Sequence, residues 1–186
     1  MEDQELVSRV LSGDTQAFRL LIKRHEKLVA HMIGRIVKHD GEREDLCQDV
    51  FIRVYEKLKE FTFQSKLSTW IATIAYRYAI NHLRKKRMIF SDFPEDDQLG
   101  QSLIDNDNPE ILFSEQNMDD YVMKLVDKLP TQYKTVLMLY HVDNMNYLEI
   151  GEITGMPEGT VKNYIFRARK LLKERIVKNL GKEEIR

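Results

Sequence analysis

The chain has 186 residues, 42% of them apolar and 32% charged, with 29 Lys and Arg against 30 Asp and Glu. No apolar run approaches the ~18 residues of a membrane span, and the single cysteine, Cys47, excludes both an intrachain disulfide and a Cys-rich zinc site. The acidic opening Met1-Glu2-Asp3-Gln4-Glu5 lacks the basic-then-apolar order of a secretory leader, so a reducing cytoplasm is the expected location.

Eight glycines and four prolines are few for this length, and long stretches rich in Leu, Lys, Glu, Arg and Ile favour helix over strand. The expected fold class is all-α. Charge is unevenly spread. Residues 1–90 carry 17 basic and 12 acidic side chains, residues 91–113 carry 7 acidic and no basic ones, and residues 114–186 carry 12 and 11. Within the last block, residues 158–182 hold 8 basic side chains against 2 acidic. The acidic segment contains Pro, Gly, Asn and Asp and shows no helical period, so it reads as a linker. Two small helical domains, 1–90 and 114–186, are expected on either side of it. Its charge either solvates a tether or competes with a polyanion for the flanking basic surfaces.

In the first domain, Leu6, Val7, Val10 and Leu11 suggest a short helix ended by Gly13. Asp14 is then a suitable N-cap for a long helix with Phe18, Leu21, His25, Leu28, Met32 and Ile36 on one face, broken at Gly41. A helix from about Glu42 to Phe61 has Leu46, Val50, Val54 and Leu58 as its core stripe, reinforced by Phe51 and Phe61. Asp45, Gln48 and Asp49 share another face, as either a solvated surface or an acidic docking patch for a basic helix. After the polar connection Thr62–Leu67, Ser68 is the expected cap of a helix burying Ile71, Ile74, Ala75 and Tyr78. Trp70, Tyr76, Arg77 and His82 fall on other faces, and the helix ends in Arg84-Lys85-Lys86-Arg87. Aromatic rings and cations near a loop suit single-stranded nucleic acid, whose bases stack while its phosphates meet Lys and Arg; Trp70 alone could equally be core.

In the second domain, Ile111, Leu112, Met118, Val122, Leu125 and Leu129 mark one helix. Pro130 opens another, with Tyr133, Val136, Leu137 and Tyr140 inward, and Asp143–Asn146 form a turn. The segment Tyr147–Lys170 has the layout of a helix-turn-helix, with a first helix of about eight residues presenting Leu148 and Ile150 inward. Gly151 allows close approach of the second helix, Gly155 can take the left-handed conformation of the turn, and Val161 and Ile165 fix the second helix to the first. The second helix then exposes Lys162, Asn163, Phe166, Arg167, Arg169 and Lys170, residue types that hydrogen-bond base edges or press on a thymine methyl in a major groove.

Four blocks carry a family resemblance: Glu44–Phe51; Lys66–Ile71 with Ile74-Ala75; Leu129-Pro130 with Tyr133, Lys134 and Val136; and Tyr147–Arg169. In this order and spacing the chain, from about residue 5 to 180, resembles the extracytoplasmic-function (ECF) sigma factors of bacterial RNA polymerase. The resemblance implies a region 2 domain and a region 4 domain on a tether. It implies that Asp45, Gln48 and Asp49 dock on core RNA polymerase. The loop Phe63, Gln64, Ser65 and Lys66, with Trp70, Arg77, Asn81, Arg84, Lys85 and Lys86 on the helix after it, would read and melt the −10 element. Lys162, Asn163, Phe166, Arg167, Arg169 and Lys170 would read the −35 element. Arg77 stands where the family usually has Asn, and Asn81 where it usually has Asp, so this −10 surface is more positive than the family pattern.

The partners implied are core RNA polymerase, promoter DNA and an anti-sigma factor, with a monomer as the free state and no membrane insertion. No cofactor, metal ligand or catalytic residue is assigned. A stand-alone helix-turn-helix repressor would need a dimer placing two recognition helices ~34 Å apart, and no long heptad serves that purpose. A metal-dependent nuclease would need compact ligands, whereas His25, His31 and His39 share no motif and the carboxylates of 92–110 lie in the linker.

Overall fold

The computed structural model describes residues 2–90 and 118–183. Among the described residues there are eight α-helices and no strand: α1 Asp3–Leu11, α2 Thr15–Ile36, α3 Asp40–Lys57, α4 Leu67–Phe90, α5 Met118–Asp127, α6 Thr131–His141, α7 Tyr147–Thr154 and α8 Glu158–Glu183. A single 3₁₀ turn, Leu58–Glu60, follows α3. The all-α expectation holds. Ile111, Leu112 and the whole acidic segment 91–113 lie outside the described residues. Two compact units emerge: α1–α4 with Leu148–Met156 in one, and α5, α6, Tyr147 and α8 in the other.

The first unit is organised by the turn between α1 and α2. Gly13 adopts φ +91°, which an L side chain resists, and the chain reverses there. Asp14 then caps α2 as expected, its Oδ1 accepting from the Gln16 and Ala17 amides at 2.9 and 3.0 Å. Its Oδ2 takes the Arg9 guanidinium at 2.6 Å, which ties the end of α1 to the start of α2. The Ala17 amide, and after it Arg9, hold the Asp14 carboxyl below its ordinary 3.8. A depressed folded-state pKa stabilises above the unfolded value and is lost as pH falls through the folded one. Asp14→Ala is therefore expected to melt at a lower temperature than the parent at pH 7, with the gap closing below pH 3.8. Parallel melts of both chains from pH 7 to pH 2 check this, and a gap that persists unchanged in acid would remove the carboxylate from the cap.

The core of this unit is rotated slightly from the expected stripe on α2. Ala17, Leu21, Val29, Met32, Ile33 and Ile36 are buried, while Phe18, His25 and Leu28 sit at the margin. Helix α2 also stops at Ile36, five residues before Gly41, which lies inside the first turn of α3. The cause is a side chain from the next helix. The Val37 amide still donates to the Ile33 carbonyl at 2.8 Å, but the Val37 carbonyl accepts from Arg43 Nε at 2.6 Å and is lost to the helix ladder. Arg43 Nη1 meets Asp40 at 2.6 Å, fixing the guanidinium across the junction.

On α3 the expected stripe is the observed one: Leu46, Val50 and Val54, continued by Leu58 in the 3₁₀ turn, are all buried, as are Phe51 and Phe61. Helix α4 begins two residues earlier than a Ser68 cap would have it. The Trp70 amide donates to the Lys66 carbonyl, so Lys66 is the cap residue, and Leu67, 1% exposed, anchors the first turn in the core. Ile71, Ile74 and Ala75 are buried as expected, but so is Tyr76, which the sequence had put on an outer face, while Tyr78 is only half-buried.

In the second unit α8 packs on α6 and α5, with Tyr133 and Tyr164 rings 4.8 Å apart. Pro130 stands just before α6 as its cap rather than inside its first turn. Helix α7 has the expected eight residues, yet Leu148 is 63% exposed. Its buried pair is Ile150 and Ile153, at the i, i+3 spacing that one helical face requires; Leu148 and Ile150, two apart, cannot share a face. Gly155 takes φ +75° at the turn, as expected. The constraint at Gly151 is tighter and nearer: a Cβ there would stand 2.8 Å from the Met156 carbonyl oxygen of the turn itself.

Candidate functional site

The acidic residues of α3 sort by what neutralises them. At its start Asp40 pairs with Arg43, and at its end Glu56 pairs with Arg53 at 2.9 Å, while Glu60 of the 3₁₀ turn pairs with Lys57 at 2.9 Å. In the middle, Asp45, Gln48 and Asp49 are all exposed and share one face, and neither carboxylate has a cation partner among the described residues. Ile52, 58% exposed, continues that face one turn on. Sequence reasoning passed over it because an isoleucine at helical spacing reads as core. The signal was its position, three and four residues after Asp49 and Gln48.

The connection into α4 builds an aromatic ladder. Phe61 is buried, and its ring meets both Trp70, at 5.3 Å, and Phe63, at 4.6 Å between centroids. Phe63 adopts φ +60°, a left-handed conformation rare outside glycine, and the residue is 44% exposed. Gln64 and Lys66 are exposed beside it and Ser65 is half-buried. Along α4, Trp70, Arg77, Asn81 and Arg84 recur at i, i+7, i+11 and i+14, which places them within about 60° of one another around the helix. Trp70 is half-buried, reaching both core and surface, and the other three are exposed. Lys85 is exposed but turns about 100° away from Arg84. The Lys86 side chain lies outside the described residues. His82 is engaged with Glu42 of α3 at 3.2 Å. The ladder's keystone, Phe61, had been read from sequence as core alone.

On α8 the buried line is Val161, Ile165, Ala168 and Leu172. Directly opposite lie Asn163, Phe166, Arg167 and Lys170, all exposed, Phe166 at 67%. Lys162 and Arg169 are exposed too, but on the flank between these two lines. Lys162 Nζ pairs with Glu158 at 2.7 Å, one turn earlier, and that bond raises its pKa above the ordinary 10.5. Among the described residues no three His, Cys, Asp or Glu side chains converge as metal ligands.

Two family models match the chain, Sigma-70 region 2 over residues 21–88 and Sigma-70 region 4 over residues 119–172. An ECF RNA polymerase sigma-E factor from Haemophilus influenzae is 32% identical over 182 residues, covering 95% of this chain and 96% of that one. The chain belongs to the ECF sigma factors. Solved structures agree on the fold: CnrH in complex with the cytosolic domain of CnrY has a TM-score of 0.66 at 20% identity, covering 94% of this chain and 96% of that one. The sigma factor RpoE in complex with the anti-sigma factor NepR from Bartonella quintana gives 0.63 at 20% identity, covering 86% and 96%.

Within this ECF sigma factor the region 2 match contains the acidic face of α3 and the aromatic ladder, and the region 4 match contains the outward face of α8. No helix among the described residues is long and apolar enough to cross a membrane.

Proposed function

We propose that this promoter-specific transcription initiation factor holds core RNA polymerase through the exposed middle of α3, with Asp45, Gln48 and Asp49 supplying charge and Ile52 an apolar contact. The observation that carries this assignment is that Asp40 and Glu56, toward the two ends of the helix, are neutralised by Arg43 and Arg53, while Asp45 and Asp49 have no cation partner among the described residues. The −10 element meets Phe63, Gln64, Ser65 and Lys66 and the α4 face of Trp70, Arg77, Asn81 and Arg84, with Lys85 and Lys86 adding positive charge. Unstacked bases find rings there and phosphates find cations, which offsets a few kcal/mol of unstacking. The −35 element lies as duplex against α8. The domains are 1–90 and 114–186, joined by the acidic segment 91–113.

Each grip is weak alone. Once the enzyme holds both, the second contact becomes intramolecular and gains effective concentration. The free factor is a cytoplasmic monomer that binds DNA poorly, because the acidic segment offsets the basic surfaces. It performs no catalytic step of its own. An anti-sigma factor, the partner that the Bartonella quintana chain carries in its solved complex, is a third partner for this one. The test is a mobility assay on promoter duplex with and without core enzyme, followed by run-off transcription. A shifted complex and a discrete transcript are expected only with core enzyme present; equal promoter affinity without it would end this reading.

A further inference from the structure

Four side chains on the flank of α8 form a stack that the promoter reading leaves unused as a unit. Tyr140, near the end of α6, and Tyr147, the first residue of α7, have rings 7° from parallel with centroids 5.0 Å apart. Their hydroxyls lie 3.5 Å apart. Lys162 Nζ sits 5.3 Å from the Tyr147 centroid, and the Arg169 guanidinium carbon sits 5.5 Å from the Tyr140 centroid. The contacts therefore run from cation to ring, ring to ring, and ring to cation. Arg169 is held a second time, donating from Nε and Nη2 to His141 Nε2 at 3.1 and 2.9 Å. His141 in turn stands edge-on to the Tyr140 ring at 5.0 Å.

The chemistry is consistent along the stack. Arginine has no acceptor, so His141 Nε2 must accept, and the imidazole must be neutral. Burial, and after it the Arg169 charge, push the His141 pKa below its ordinary 6.5. The hydroxyl bond to Tyr140 keeps the Tyr147 phenol protonated, raised above its ordinary 10. Arg169 thus rests on uncharged partners and retains three of its five N–H groups for another acceptor, while Lys162, which also pairs with Glu158 at 2.7 Å, keeps its positive charge and two donors beyond that bond.

We infer that Tyr140, Tyr147 and His141 are positioning residues that hold Lys162 and Arg169 as a pair of phosphate-contacting cations, leaving the base edges to the outward line of Asn163, Phe166, Arg167 and Lys170; this rests on the promoter reading above. Lys162 and Arg169 are seven residues apart, so they share one side of the helix at a separation of about 10 Å along its axis. That side lies roughly a quarter-turn from the outward line. A helix seated in a groove points its outermost residues at the floor and its flanks at the walls, and the walls are sugar and phosphate. Rigid cations on a flank fix register without reading sequence.

The test uses the full chain assembled with core polymerase, and a promoter duplex enriched from a random library by the wild-type holoenzyme. Complex formation is followed from 50 to 200 mM salt. Tyr140→Ala with Tyr147→Ala should weaken the complex about tenfold and make its salt dependence shallower by one to two phosphate contacts. Discrimination against single changes in the −35 element should be unchanged, and Tyr140→Phe with Tyr147→Phe should restore the slope because the rings remain. Arg169→Gln, at an exposed position, keeps the test open if the alanine pair loses helicity. It should lower the slope by about one without altering base preference. An unchanged slope in a folded variant, or a loss confined to one base pair, overturns the inference while the promoter reading stands. A wild-type holoenzyme that forms no complex on any duplex overturns both.

Discussion

Asp45→Arg combined with Asp49→Arg is expected to abolish binding to core RNA polymerase while leaving the helical content intact. Both side chains are exposed, and neither takes part in an ion pair among the described residues, so the exchange breaks nothing inside the domain. Arginine is also a better helix former than aspartate. At the interface the change is large: two carboxylates become two cations facing a basic partner, and like-charge juxtaposition costs several kcal/mol. A loss of more than about a thousandfold in affinity follows from that cost at 1.4 kcal/mol per factor of ten. Fluorescence anisotropy with labelled factor reads the affinity, and circular dichroism shows whether the helices persist. Binding retained by the double variant would move the docking surface away from α3.

Arg167→Ala is expected to weaken promoter complexes by ~1–3 kcal/mol, concentrated at one base pair of the −35 element. The side chain sits on the line opposite the buried residues of α8, exposed and with no hydrogen bond or ion pair among the described residues. An arginine free to extend can bond a guanine edge through two donors, which is the commonest specific contact in a major groove. Competition among duplexes carrying single −35 substitutions separates the outcomes. If Arg167→Ala weakens every duplex equally, Arg167 is a phosphate contact, and the split between the outward line and the flank of α8 fails with it.

Much of the architecture was legible because helices advertise themselves at short range. The α3 stripe, the Asp14 cap and the Gly155 turn each depend on residues within a few positions of one another, and each is where the sequence indicates. What was hidden depended on partners farther off or on a phase error. The end of α2 is set by Arg43, six residues beyond the carbonyl it takes. Tyr76 is buried because α4 packs on α2 and α3, and its phenol gives no sign of that in the local pattern. Leu148 was placed inward by hydrophobicity alone, against its own helical spacing. The acidic face of α3 and the cationic face of α4 are nameable as residue types from the sequence. The aromatic ladder through Phe61 and the tyrosine stack beside α8 are not, since rings seven or more positions apart meet only in the fold.

The junction between α2 and α3 has one further consequence. Three residues, Val37, Lys38 and His39, separate the helices, and the Arg43 guanidinium spans them from the Val37 carbonyl to the Asp40 carboxylate. Exchanges of side chain at Lys38, which is exposed, leave that span undisturbed. An insertion or deletion does not, because it carries donor and acceptor out of reach and leaves a helix end without its partner. Among related chains and in laboratory libraries alike, this corner should vary in spelling but never in length.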